Sequence, residues 1–303
     1  MKATQLLSIA LLVVFFVPVA NATFSTPVPV AIDTSNRVNV SSISQDELKI
    51  YYLMITGGSQ YDVYYSTRPA KSSPFSAPIA ISSVNTSLME WGPDISADDL
   101  SLYFARGTNW NGDIWIASRA SALDPFGAPQ AVAEVNTSDG EAGPNISDDG
   151  LTLYFSSNRL TGREDLFYAT RPDVNSPFGA AIAISELNTA QQDYSPSIST
   201  DGLTLYYVFR DDDSGTPQEI WSASRPDLLS PFGTPNRVEE LYIAGVDTWG
   251  PDISYDGKTI YFTSLREGSL PGNLWMATVI PEPSLMLLVL ISSVGLVIRK
   301  FRR

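Results

Sequence analysis

Any chemistry in this chain falls to carboxylates, phenols, amines and hydroxyls, because its 303 residues include no cysteine and no histidine. That removes disulfides, cysteine-ligated zinc and thiol nucleophiles. It also removes Ser-His-Asp catalysis, the commonest general base and the commonest metal ligand. What remains is patterned. Acids and aromatic residues stand together just ahead of recurring Ile-Ser pairs: Glu90 and Trp91, Glu141, Asp193 and Tyr194, and Asp247 with Trp249. Aromatic faces beside carboxylates suit sugar rings, which offer C–H faces and hydroxyl donors. The same carboxylates are oxygen ligands of the kind Ca2+ takes. The competing reading makes the aromatic residues packing wedges and the acids solvated loop residues. Glycoside hydrolysis would need two carboxylates at a set spacing, one of them with a raised pKa.

A second acidic group, Asp211-Asp212-Asp213, precedes Ser214-Gly215. It could chelate Ca2+ as a cofactor, but it lacks the alternating ligand spacing of an EF-hand loop, and a solvated charged loop is the competing reading. Arg68, Arg119, Arg171 and Arg225 recur after one strand of each repeat and are expected to pair structurally with repeat acids. Asn39, Asn85, Asn136 and Asn145 fit N-x-S/T but are given no weight as glycosylation sites.

These residues are positioned by a repeat. The Ile-Ser pairs begin at Ile43, Ile95, Ile146, Ile198 and Ile253, spaced 52, 51, 52 and 55 residues apart. A nearly constant period of this size signals a solenoid or a propeller. Each unit carries a second strand such as TLYFS (152–156), a third such as DLFYAT (165–170) and, in the first four units, a fourth that follows Pro-Phe, as in PFGAPQAV (125–132). Four short strands separated by turn residues make a propeller blade. The second and third strands are near-continuous apolar runs, as expected when both sheet faces are covered. Asp149-Gly150, Asp201-Gly202 and Asp256-Gly257 supply the positive φ that tight hairpins need. The first two units replace that glycine, with Asp46-Glu47 and Asp98-Asp99, so their hairpins should be less ideal. The fifth unit ends at Thr278 without a Pro-Phe strand. The segment FSTPVPVA (24–31) matches the missing piece, so the fold expected is all-β: a five-bladed β-propeller over 23–280, closed by the N-terminal strand.

GPNISDDGLTLYFSSNR (143–159) resembles the WD40-like (PD40, TolB-type) propeller repeat almost position by position, and the resemblance extends over 24–278. In that family the first strand of each unit lines the central channel. The resemblance therefore implies that Glu90, Trp91, Glu141, Asp193, Tyr194, Asp247 and Trp249 form a ring near one mouth of it. Propellers host binding, scaffolding and catalysis alike, so fold is implied more strongly than function. Five-bladed glycosidases carry their acids in distinct, non-repeated motifs; here the acids recur at equivalent positions, which argues against a dedicated active site. No catalytic residue is assigned.

The ends of the chain speak to location. Residues 1–22 combine Lys2, an apolar run from Leu6 to Val19 and Ala20-Asn21-Ala22, the pattern of a cleaved signal peptide that engages the Sec translocon. Residues 281–303 hold Pro281-Glu282-Pro283, an apolar stretch read as a transmembrane helix, and Arg299, Lys300, Arg302 and Arg303. The basic cluster marks the cytoplasmic side. This tail resembles the PEP-CTERM sorting signal, whose bearers are processed by an exosortase and reach the envelope or exterior of Gram-negative bacteria, often with exopolysaccharide and biofilm. A plain inner-membrane anchor is the alternative. Between the termini the chain has 14 basic and 32 acidic residues, a net of −18, which disfavours nucleic acid. The expected protein is a non-enzymatic surface or matrix propeller that binds a polysaccharide or a protein. A carboxylate-dependent glycan hydrolase or lyase and an anchored TolB-like periplasmic scaffold are the alternatives.

Overall fold

The computed structural model describes residues 23–56, 60–266 and 273–280. The segments read above as a signal peptide (1–22) and a sorting tail (281–303, with Pro281, Glu282, Pro283, Arg299, Lys300, Arg302 and Arg303) lie outside the described residues. After the short strands β1 (Thr23–Phe24) and β2 (Val28–Pro29), the chain builds antiparallel sheets one after another. Blade 1 is β3 (Val38–Ile43), β4 (Lys49–Thr56), β5 (Gln60–Thr67) and β6 (Ile79–Ala80). Blade 2 is β7 (Met89–Ile95), β8 (Ser101–Thr108), β9 (Asn111–Ser118) and β10 (Gln130–Ala131). Blade 3 is β11 (Glu141–Ile146), β12 (Thr152–Ser157), β13 (Asp165–Thr170) and β14 (Ile182–Ala183). Blade 4 is β15 (Gln192–Ile198), β16 (Thr204–Arg210), β17 (Glu219–Ser224) and β18 (Asn236–Arg237). Blade 5 is β19 (Thr248–Ile253), β20 (Thr259–Ser264) and β21 (Leu274–Ile280). Its outer edge is supplied by β1 and β2, which pair with β21 through Phe24↔Val279 and Val28↔Met276.

The first strand of each blade packs against that of the next, and β19 returns to β3, so five blades close into a ring. The same N-terminal segment then bonds to blade 1, where the Phe75 amide donates to the Ala31 carbonyl at 2.9 Å. Closure therefore spans the beginning and end of the propeller, and it leaves few unpaired strand edges. Among the described residues the only helix is one 3-10 turn (Glu239–Leu241), and no helix is long and apolar enough to cross a membrane.

The core lies between blades. Each junction holds its own apolar cluster; that between blades 3 and 4, for example, joins Tyr154 and Leu166 to Leu205 and Tyr207. The second strands are buried on both faces, which is why their sequences do not alternate. The recurring arginines clamp these junctions. Arg119 donates Nε–H to the Asp99 carbonyl (2.8 Å) and Nη2–H to the Tyr51 hydroxyl of the preceding blade (2.9 Å), while its guanidinium lies 4.2 Å from the Phe126 ring centroid. Arg68, Arg171 and Arg225 repeat the arrangement with Tyr261, Tyr103 and Tyr154. Their constant partners are thus a turn carbonyl and a tyrosine, not the expected repeat acids. Acids join only in blades 1 and 2, where Glu47 and Asp99 replace the turn glycine at φ 58° and 59°. There the left-handed strain is accompanied by ion pairs, Glu47 to Lys71 (2.7 Å) and Asp99 to Lys49 and Arg119 (both 2.7 Å). Asn85 and Asn136, two of the N-x-S/T asparagines, spend their side-chain amides on both backbone groups of Val63 and Ile114.

Candidate functional site

Every first strand has a β-bulge two to three residues before its Ile-Ser pair, as between Trp91 and Asp94 or Tyr194 and Ser197. A bulge re-aims the side chains on either side of it. Here the residues before the bulges, Asn39, Trp91, Ala142, Tyr194 and Trp249, line a cup of about 640 Å3 at one mouth of the ring. The bulges form its floor. A Cβ on Gly92 would lie 3.3 Å from the Gly143 Cα, and one on Gly143 would lie 3.1 Å from the Ser195 Cα. Backbone thus lies close to backbone at this level, and glycine eases both the approach and the φ of 59° and 54° at Gly92 and Gly143, while Ser195 holds the equivalent position in blade 4 at φ 50°.

The aromatic half of the expected ring, Trp91, Tyr194 and Trp249, is in the cup. The acidic half is not. Glu90, Glu141 and Asp193 sit one residue upstream, and because strand side chains alternate, they point to the opposite face, into the junctions between blades. All three are 0% exposed. Glu90 pairs with Arg106 (2.9 Å) and accepts from the Thr86 hydroxyl (2.6 Å). Glu141 pairs with Arg159 (2.9 Å) and accepts from Thr137 (2.8 Å). Asp193 accepts from Thr189 twice, but its other carboxylate oxygen has no partner, and burial pushes its pKa up to about 6. Asp247 accepts the Gln218 backbone N–H (2.9 Å) and fixes the strand entry that carries Gln218 into the cup. Glu90, Glu141 and Asp193 thus share the height of the cup along their strands but not its face.

One wall of the cup is aromatic. Trp110 stands edge-on to both Tyr61 (centroids 5.0 Å) and Trp91 (5.5 Å), and it is 54% exposed. It occupies the tip of the β8–β9 hairpin with Asn109, at φ 61° and 52°. A two-residue turn of this kind ordinarily takes Asn-Gly. A tryptophan there costs about 1 kcal/mol or more in backbone strain, which singles the position out as a candidate for function. Sequence reasoning missed Trp110 and Tyr61; the signal was a tryptophan in the turn Asn109-Trp110-Asn111-Gly112, where glycine belongs.

The facing wall is polar and comes from blades 3 and 4: Asn158, Glu164, Gln192, Tyr194, Arg210 and Gln218. Tyr194 donates its hydroxyl to the Gln218 side chain. Glu164 is held by Ser156 Oγ (3.3 Å), and its backbone amide donates to Gln192 Oε1 (2.8 Å). Burial pushes its pKa up to about 7, with Asp212 adding in the same direction, so near neutrality its carboxyl is partly a hydrogen-bond donor. It is the only carboxylate among the described residues that line the cup. Asp211, Asp212 and Asp213 do not converge as a chelate. Asp212 pairs with Arg210 (3.0 Å) and Asp213 with Arg163 (2.9 Å), while Asp211 accepts from the amides of its own loop. Among the described residues no three acids are gathered in a metal-binding group.

Beyond the bulges, a second ring closes the channel. The side chain just before each Ile accepts the Ile N–H of the next blade: Ser42 from Ile95 (3.1 Å), Asp94 from Ile146 (2.7 Å), Asn145 from Ile198 (2.8 Å), Ser197 from Ile253 (3.0 Å) and Asp252 from Ile43 (2.8 Å). Burial raises Asp94 to about 7 and Asp252 well above the carboxylate range, the latter also through Asp94. Tyr255 crosses the axis from blade 5 to donate to the Ile95 carbonyl of blade 2 at 2.6 Å. The space left there is about 20 Å3, room for about one water.

No family model and no curated protein matches this chain. Solved structures do. A thermostable family-43 glycoside hydrolase superposes at TM-score 0.55 and 14% identity, over 84% of this chain and 92% of that one. An α-L-arabinofuranosidase from Podospora anserina, in complex with cellotriose, gives 0.54 at 12% identity over 86% and 97%. TolB from Acinetobacter baumannii gives 0.51 at 17% identity over 81% of this chain and 55% of its own, so the chain spans about half of TolB. Likeness at these identities is likeness of fold.

Proposed function

We propose that this five-bladed propeller is a non-enzymatic carbohydrate-binding protein whose cup takes a sugar chain. One observation carries the reading: an aromatic wall of Tyr61, Trp91 and Trp110 faces a wall of amides, hydroxyls and one raised-pKa carboxyl across a single cavity. A sugar ring has one set of C–H faces to stack and many hydroxyls to bond, and the cup offers both partners at once. Its volume lies in the range of cavities that bury a small ligand, about 300–1,000 Å3. The exported setting rests on the leader pattern of residues 1–22 and on the Pro-Glu-Pro, apolar and basic pattern of 281–303. These imply the Sec translocon, an exosortase and transient residence in the inner membrane before the cell surface or exterior, where exopolysaccharide is the ligand at hand. A glycan array probed with the mature protein tests this. Saturable capture that Trp110→Ala abolishes is the expected result; an array with no capture at millimolar sugar leaves a surface protein as ligand and rejects the carbohydrate.

A second reading is favoured by Glu164 alone. A carboxyl that keeps its proton near pH 7 on a cavity wall is what a glycoside hydrolase uses as general acid. Such enzymes need a second carboxylate about 5–9.5 Å away, and the cup lining supplies none among the described residues. Turnover of aryl glycosides that vanishes in Glu164→Gln would establish the enzyme; no turnover in the wild type rejects it.

A further inference from the structure

We infer that the cup reads the end of a glycan chain, not its interior; this rests on the carbohydrate reading above. The reason is that the channel is open at one end only. The bulge backbones of Gly92, Gly143 and Ser195 pack side by side around the floor, Gly92 against Gly143 and Gly143 against Ser195. Below them lies the side-chain ring from Ser42 to Asp252, and Tyr255 bonds across the axis to Ile95. The free volume left at that level is about 20 Å3, room for about one water. A chain that enters must therefore stop.

The walls fix how it enters. The aromatic wall comes from blades 1 and 2 and the polar wall from blades 3 and 4, so they face each other across the ring axis and flank a ligand directed down it. A polymer lying across the mouth would leave the deeper groups unused. Trp91, 6% exposed, and Asn39, whose buried Oδ1 has no partner, are reached only from inside the cup. The volume above the floor, about 640 Å3, is that of a small-ligand cavity and takes only a short stretch of a sugar chain. The ligand is thus the terminal one to three sugar units of a free chain or of a side branch.

The test uses the mature protein on an array of neutral and uronic oligosaccharides of one to six units. Each is printed twice, tethered through its reducing end and through its opposite end. Capture in one orientation only is expected, with Trp110→Ala removing it. Calorimetry on the size series of the captured sugar should show affinity rising to the second or third unit and then flat, and long chains should bind one protein per end whatever their length. Equal capture in both orientations, with stoichiometry that grows with chain length, overturns end recognition while leaving the carbohydrate reading standing. No capture of any sugar overturns both.

Discussion

Trp110 meets Trp91 edge-on, with ring centroids 5.5 Å apart and planes at 73°. The first is exposed at a strained hairpin tip; the second is buried on the innermost strand of the same blade. The pair joins the rim of the cup to its floor. The strain of the backbone and the contacts of the ring can be separated by substitution. Trp110→Gly and Trp110→Ala both remove the ring, but only glycine relieves the left-handed backbone. The glycine variant should be more stable than the alanine variant by about 1 kcal/mol, measured by urea unfolding, while both lose sugar binding alike. Equal stability of the two would mean that the turn is not strained.

The arginine clamps should dominate the stability of the junctions. Arg119→Ala leaves the Tyr51 hydroxyl and the Asp99 carboxylate with fewer partners in a buried setting and removes the stack on Phe126. The expected loss is about 2–4 kcal/mol, and Arg119→Lys should recover little, because an ammonium cannot bond two directions while lying flat on a ring. A double-mutant cycle with Tyr51→Phe should show coupling between the two blades; additivity would argue against the clamp.

Stability should rise as pH falls from 8 to about 5. Asp94 and Glu164 are raised to about 7 and Asp193 to about 6, and Asp252 is raised as well. The folded protein then binds more protons than the unfolded chain between the ordinary carboxylate pKa and these values, so stability present at acidic pH is lost as pH climbs through about 6 to 7. Below about pH 4 the trend reverses, because Asp46 and Asp256 are lowered by hydrogen bonds in their turns and the stability they bring is lost on protonation. Thermal melts at pH 5 and pH 8 check the sign. Asp193→Asn should shrink the difference, since it removes a buried charge that has an unpartnered oxygen.

Much of the fold was legible because repetition is a strong signal. Five Ile-Ser anchors set the blade count, and the match between 24–31 and the Pro-Phe strands identified the closing segment. The site was half legible. Spacing placed Trp91, Tyr194 and Trp249 at the mouth, but the alignment could not say which of two adjacent residues faces inward. That was decided by strand alternation and by the bulge, and it sent Glu90, Glu141 and Asp193 into the junctions. Glu164, Trp110 and Tyr61 belong to hairpin ends where repeats diverge, so periodicity is silent about them. The hydrogen-bond ring from Ser42 to Asp252 was hidden for another reason: Ser, Asp, Asn, Ser and Asp do not look like one repeated residue, yet each offers an oxygen to the next blade.

Sorting is open to a direct check of the termini. Mass spectrometry of fractionated cells should find mature chains that begin at Thr23, lack Arg303 and occur outside the inner membrane. Intact chains retaining Arg303 in the inner membrane would favour an anchored scaffold.

If the cup binds a glycan, its aromatic wall carries the contact. Intrinsic tryptophan fluorescence, titrated with the oligosaccharide that the array captures, reads that contact, since Trp91, Trp110 and Trp249 all line the cup. A saturable change is expected in the wild type, with at least about tenfold weaker binding in Trp110→Ala, a loss of about 1.4 kcal/mol, and an unchanged melting profile in the far ultraviolet. A titration that leaves the fluorescence flat, or one that Trp110→Ala does not weaken, would contradict it.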